Sequence, residues 1–102
     1  MADILIVDDE PSARITLALL LRKRGHRVVQ AEGVRVAAKV LAECAFDLVV
    51  TDLRMPDGDG LEVLRMAKAP FPEVVVILLT ATSGQWAFAM RKTTVPRWWS
   101  FC

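Results

Sequence analysis

Two groups of acidic residues stand where apolar runs end. Ile4-Leu5-Ile6-Val7 stops at Asp8-Asp9-Glu10, and Leu48-Val49-Val50-Thr51 stops at Asp52, which is followed by the turn-rich stretch Leu53-Arg54-Met55-Pro56-Asp57-Gly58-Asp59-Gly60. A third apolar run, residues 74–79, ends at the hydroxyl of Thr80. If the three runs are parallel strands, their carboxyl ends share one edge of a sheet, the edge at which open α/β folds place ligands. Carboxylates brought together there repel one another and raise each other's pKa unless a cation compensates. Mg²⁺ suits such a site, because it takes hard oxygen donors and needs only one or two direct carboxylates beside water and a phosphate. Asp52 would then be free to attack phosphorus and form an acyl phosphate, and Thr80 could bond a phosphoryl oxygen. A lone Asp at a strand end is ordinarily a cap or turn former; the convergence of several is what argues for chemistry. Asp57 and Asp59, next to Gly58 and Gly60, read as turn residues, and their spacing does not fit a calcium loop.

The elements needed to position these groups are legible in the same pattern. The run at 4–7 is continuous and mostly β-branched, as a strand covered on both faces should be. Apolar positions at helical spacing predict a helix over 13–24, with Pro11 and Ser12 at its start and Gly25 after its end. A second strand is expected over 27–31, a second helix over 34–44, a third strand at 48–50, a third helix over 61–69 stopped by Pro70 and Pro72, and a fourth strand over 74–79. Strands alternating with helices imply right-handed crossovers and a parallel α/β sheet. Residues 85–92 read as a short helix with Trp86, Ala89 and Met90 inward, and residues 93–102 as neither strand nor closing helix. The chain is thus expected to lack about one strand-helix unit, as a truncated or altered end would.

Composition narrows the function. With 102 residues and 54% hydrophobic content the chain fits one compact domain and not a disordered segment. Residues 1–73 hold ten basic and twelve acidic groups, and residues 74–102 hold three basic and no acidic ones. Three cations are too few for a nucleic-acid footprint, so no direct nucleic-acid contact is expected. Cys44 and Cys102 lack metal-ligand spacing. The first apolar run is too short for a signal peptide or a membrane span, and a soluble, cytoplasmic chain is the expectation.

The chain resembles the receiver domain of bacterial two-component response regulators. The resemblance rests on Ile4-Leu5-Ile6-Val7-Asp8-Asp9-Glu10, on residues 47–64 from Asp47-Leu48-Val49-Val50-Thr51-Asp52 through the Arg-Met-Pro loop to Leu61-Glu62-Val63-Leu64, and on Val76-Ile77-Leu78-Leu79-Thr80-Ala81. It covers residues 1 to about 81 of a single domain spanning 1–102. It implies a flavodoxin-like, doubly wound parallel sheet of strand order 2-1-3-4-5. It also implies that Asp52 is the phosphoacceptor, taking a phosphoryl group from a sensor histidine kinase or phosphotransfer protein. Mg²⁺ would be bound by Asp9, Asp52 and the backbone carbonyl of Arg54, with Asp8 orienting metal-bound water. Thr80 would be the switch hydroxyl, and the backbone amides of Arg54 and Ala81 would contact the phosphoryl oxygens. At most the chain would catalyse its own phosphorylation and dephosphorylation, without turnover of another substrate. The Arg-Met-Pro loop looks most like that of regulators whose receivers precede an ATPase and a DNA-binding module.

The end of the chain departs from the pattern. Receivers close their fifth strand with Lys-Pro and precede it with a switch aromatic, whereas this region holds Trp98, Trp99, Phe101 and Cys102. Lys92 comes too early, precedes Thr and is not given the role. An exposed sheet edge left by a missing strand and helix predicts self-association, as a homodimer, through the region after Thr80. The alternative function is a receiver-like interaction module that works without phosphorylation. A phosphatase or phosphotransferase is disfavoured because Arg54, not a general acid, lies two residues after Asp52.

Overall fold

The computed structural model describes residues 1–79 and the strand segment at 86–89. Its elements run in the order β1 (Asp3–Val7), α1 (Pro11–Lys23), β2 (Arg27–Ala31), α2 (Val34–Glu43), β3 (Leu48–Asp52), β4 (Arg54–Met55), β5 (Gly58–Asp59), α3 (Gly60–Lys68), β6 (Val75–Leu79) and β7 (Trp86–Ala89). The main sheet has the order β2-β1-β3-β6-β7, and β4 and β5 form a separate two-stranded antiparallel ribbon. The first four strands of the main sheet are parallel, as the alternation of strands and helices implies. No helix among the described residues is long and apolar enough to cross a membrane.

β1 is buried along its whole length. Its alternate residues feed two cores. Leu5 and Val7 pack with Val49, Val76, Ala37, Val63 and Phe46 on the face covered by α2 and α3. Ile4 and Ile6 pack with Ala18, Val28 and Val50 on the other face, beneath α1. This is the doubly wound arrangement, and each fully buried aliphatic side chain contributes about 1.5–3 kcal/mol to it. α1 buries only Ala18 completely, with Leu17 and Leu21 packed beside it; Ile15, Leu19 and Leu20 are exposed. The apolar period of α1 therefore runs wider than the face it buries.

Helix ends follow the local sequence closely. The α1 cap is Glu10, which accepts from the amide and hydroxyl of Ser12, with Pro11 in the first turn. Ser12 is the donor to that cap and not the cap itself. At the other end Gly25, with φ +90, follows Arg24 and donates to the carbonyl of Arg22, the role glycine commonly fills after a helix.

One expected element is overturned. Residues 86–89 form a strand, β7, antiparallel to β6 with Leu79 opposite Trp86 and Val76 opposite Ala89, where a helix over 85–92 was expected. The six residues at 80–85 are too few for the crossover that another parallel strand would need, whereas an antiparallel return needs only a short connection. Trp-Ala-Phe-Ala also alternates with a period of two and is rich in aromatics, which suits a strand. The order 2-1-3-4 therefore holds for the parallel strands, and its last position is filled by an antiparallel one. Thr80, Ala81, Lys92 and residues 93–102 lie outside the described residues.

Candidate functional site

Strand register builds the site. Val7 pairs with Thr51 across β1 and β3, and Asp52 pairs with Leu79 across β3 and β6. Asp8 and Asp9 therefore leave β1 beside the end of β3, where Asp52 closes its strand. Oxygens from Asp8, Asp9 and Asp52 lie within 4.8 Å of one another. Asp8 is 9% exposed, Asp52 is half-buried and Asp9 is exposed. These are three of the residues chosen from the sequence, and the fold brings them together.

Asp8 and the backbone of Asp52 are held by local bonds. The amide of Glu10 donates to Asp8 Oδ1 at 2.9 Å, and the amide of Asp8 donates to the carbonyl of Ala31 at 3.1 Å. Arg14 reaches back from α1 to donate to the backbone carbonyl of Asp8 at 2.8 Å while its Nε donates to Gln30 Oε1. Asp52 is fixed through the backbone: the Thr51 hydroxyl donates to its carbonyl at 3.0 Å, and the amide of the next residue, Leu53, donates to the carbonyl of Leu79 at 2.9 Å. Burial pushes the Asp8 carboxyl above the usual carboxylate range, and the charges of Asp52 and Asp9 push it the same way, against the Glu10 amide and Arg14. A cluster whose buried member resists ionisation gains from a cation at its mouth. Three carboxylates presenting hard oxygens at one edge of the sheet match the donor set of Mg²⁺. The ends of β1 and β3 bring them together.

Arg54 follows on β4, exposed and paired with Asp59 on β5. Asp57 and Asp59 stay out of the cluster and act as caps. Asp59 accepts from the amide of Glu62 and caps α3. Asp57 accepts from the amides of Val34 and Arg35 at the start of α2, at 3.0 and 2.9 Å. The sequence reading placed both in turn chemistry and missed the long-range bond of Asp57. Gly33 was the available signal: it precedes Val34 as an N-cap with no side chain of its own to close the helix, so the cap has to come from elsewhere.

Comparison with known proteins finds similarity in sequence and in fold. The family model described as the response regulator receiver domain matches residues 4–93. The transcriptional regulatory protein ZraR of Escherichia coli is 42% identical over 82 residues, which is 80% of this chain and 19% of that protein. The response regulator protein PilR of Pseudomonas aeruginosa is 39% identical over 77 residues, 76% of this chain and 17% of that protein. Thus the chain spans less than a fifth of the length of these curated relatives. Among solved structures, the response regulator protein TrrA of Thermotoga maritima, in complex with Mg²⁺–BeF, superposes with a TM-score of 0.74 at 38% identity, over 81% of this chain and 72% of that one.

Proposed function

Because the chain belongs to the family of response regulator receiver domains, we propose that Asp52 is its phosphoacceptor and that residues 1–102 work as one receiver unit of a cytoplasmic phosphorelay. The observation that carries this reading is the convergence of Asp8, Asp9 and Asp52 at the ends of two adjacent parallel strands. Asp52 supplies the nucleophile: one of its oxygens attacks the phosphorus of a phosphohistidine on a sensor kinase or phosphotransfer protein, the P–N bond breaks, and the departing imidazole takes a proton from solvent. Asp9, Asp52 and the backbone carbonyl of Arg54 would hold Mg²⁺, and Asp8 would orient its water. A Mg²⁺ held there supplies the positive charge that lets an anionic phosphoryl group approach three carboxylates. The backbone amides of Arg54 and Ala81 would contact the phosphoryl oxygens, and the Thr80 hydroxyl would report the group by bonding it. The TrrA structure, named for its Mg²⁺–BeF complex, supports the same pairing of metal and phosphoryl-like group for a relative.

The test is labelling with a small phosphodonor. Acetyl phosphate with Mg²⁺ is expected to add one phosphoryl mass to the intact protein, lost when Mg²⁺ is chelated and absent in Asp52→Ala. Labelling that survives Asp52→Ala would move the acceptor elsewhere. No labelling of the unsubstituted chain would favour the phosphorylation-independent interaction module.

A further inference from the structure

Asp57 occupies the tip of a short hairpin. The turn Met55-Pro56-Asp57-Gly58 joins β4 to β5, with Arg54 opposite Asp59 and Met55 opposite Gly58. The base of the hairpin is tied to the candidate acceptor: the amide of Gly60 donates to the carbonyl of Leu53 at 2.8 Å, and a Cβ on Gly60 would lie 2.5 Å from the carbonyl oxygen of Asp52. The tip is tied to α2 by the two bonds from Asp57 Oδ1 and Oδ2 to the amides of Val34 and Arg35. These are charge-assisted bonds, about twice as strong as neutral ones, and they meet the positive end of the α2 dipole. Gly33 is shaped around them. Its φ of −176 is open to any residue, yet a Cβ there would lie 2.7 and 2.9 Å from the two Asp57 oxygens. The missing side chain at 33 makes room for the carboxylate of 57. Gly58 adds a second constraint: with φ +151 and the Val34 side chain 2.9 Å from where its Cβ would be, it lets the hairpin seat against α2.

We infer that Asp57 is a positioning residue: by clamping the hairpin tip to α2 it fixes the backbone of Arg54 beside the Asp8, Asp9 and Asp52 cluster, and so sets the affinity of that cluster for Mg²⁺. The inference rests on the reading of Arg54 as a backbone ligand. Removing the clamp leaves all three carboxylates in place but frees the hairpin to pivot about its base. The loss should therefore fall on metal binding and not on Asp52 as a nucleophile.

Titration of the full chain with Mg²⁺ by calorimetry, alongside thermal unfolding, tests it. Asp57→Ala is expected to weaken Mg²⁺ binding by about tenfold, the low end of what supporting-shell losses cost metal sites. Asp57→Asn keeps one acceptor oxygen and should recover part of the affinity. Gly33→Ala reaches the same bond from another segment and should weaken binding comparably, while Gly33→Ala combined with Asp57→Ala should be no weaker than Asp57→Ala alone. An Mg²⁺ affinity in Asp57→Ala within about twofold of the unsubstituted chain, with only the melting temperature lowered, would overturn the inference and leave Asp57 a helix cap. Full additivity of the two substitutions would overturn it as well. If the unsubstituted chain itself binds no Mg²⁺, the phosphoacceptor reading falls with it; binding that is indifferent to Asp57 sinks the positioning role alone.

Discussion

Asp8 is the residue at which the candidate site conflicts with stability. Its carboxyl titrates above the ordinary aspartate value of 3.8 because of burial and of the charges on Asp52 and Asp9. Between 3.8 and that raised value the folded chain keeps a proton that the unfolded chain has released, so stability falls as pH rises through the window and stays lower above it. At neutral pH and without Mg²⁺, Asp8→Asn should therefore raise the melting temperature. Asparagine keeps the Oδ1 acceptor for the amide of Glu10, so no bond is lost to offset the gain. In the unsubstituted chain, Mg²⁺ at ten times its dissociation constant should stabilise by about 1.4 kcal/mol, and that increment should shrink in Asp8→Asn. Equal melting temperatures for the two proteins without Mg²⁺ would show that the cluster costs the fold nothing. The three clustered carboxylates were readable in the sequence because they stand where two apolar strands end, and parallel pairing sends such ends to one edge. Asp57 was not, because its partners Val34 and Arg35 lie 23 and 22 positions away on another element, while its neighbour Gly58 makes a local turn sufficient to explain it.

At the scale of elements, the start of α3 locks the end of β3 in place. Asp59 caps the helix through the amide of Glu62, and Asp59→Ala should cost about 1 kcal/mol in urea unfolding, the usual loss for such a cap. Gly60, the next residue, acts by its lack of a side chain. An added Cβ would press on the carbonyl of Asp52 and the Leu78 side chain at 2.5 and 3.0 Å, and neither the strand end nor the core can yield freely. Gly60→Ala should cost about 1–3 kcal/mol, the range for overpacking, and should also slow acetyl phosphate labelling by shifting the end of β3; labelling at the unsubstituted rate would place the strain elsewhere. The cores of α2 and α3 and the parallel strands were legible because their periods, 3.6 and continuous apolar, are unambiguous over five to ten residues. The start of α1 moved two residues ahead of the apolar period because its cap comes from Glu10, a side chain the pattern does not mark. The segment at 86–89 went to the wrong class because Trp86, Ala89 and Met90 fit a helical spacing while Trp86 and Phe88 fit a period of two, and the short connection from Leu79 decides between them.

Across the whole molecule, sheet order determines which surfaces are left to meet a partner. β1 and β3 are flanked on both sides, and the two cores lie on opposite faces of them. The order ends on β2 at one side and on β7 at the other. Among the described strands β7 pairs with β6 alone, and the outer row of backbone N–H and C=O groups of a strand at the end of a sheet is a template for another strand wherever nothing covers it. Short edge strands are less hazardous than long ones, but the residues of β7 carry no charge to discourage pairing, and charged edge residues are the usual defence. Self-association through this edge is the expected outcome: light scattering should give a mass that rises with concentration toward that of a dimer, and amide hydrogen exchange across 86–89 should slow as it does. The opposite edge should be unaffected, since Arg27 opens β2 with an ion pair to Asp3 and a charge at an edge strand opposes pairing. A chain that stays monomeric at high concentration, or whose protection grows at 27–31 instead, would exclude β7 as the contact.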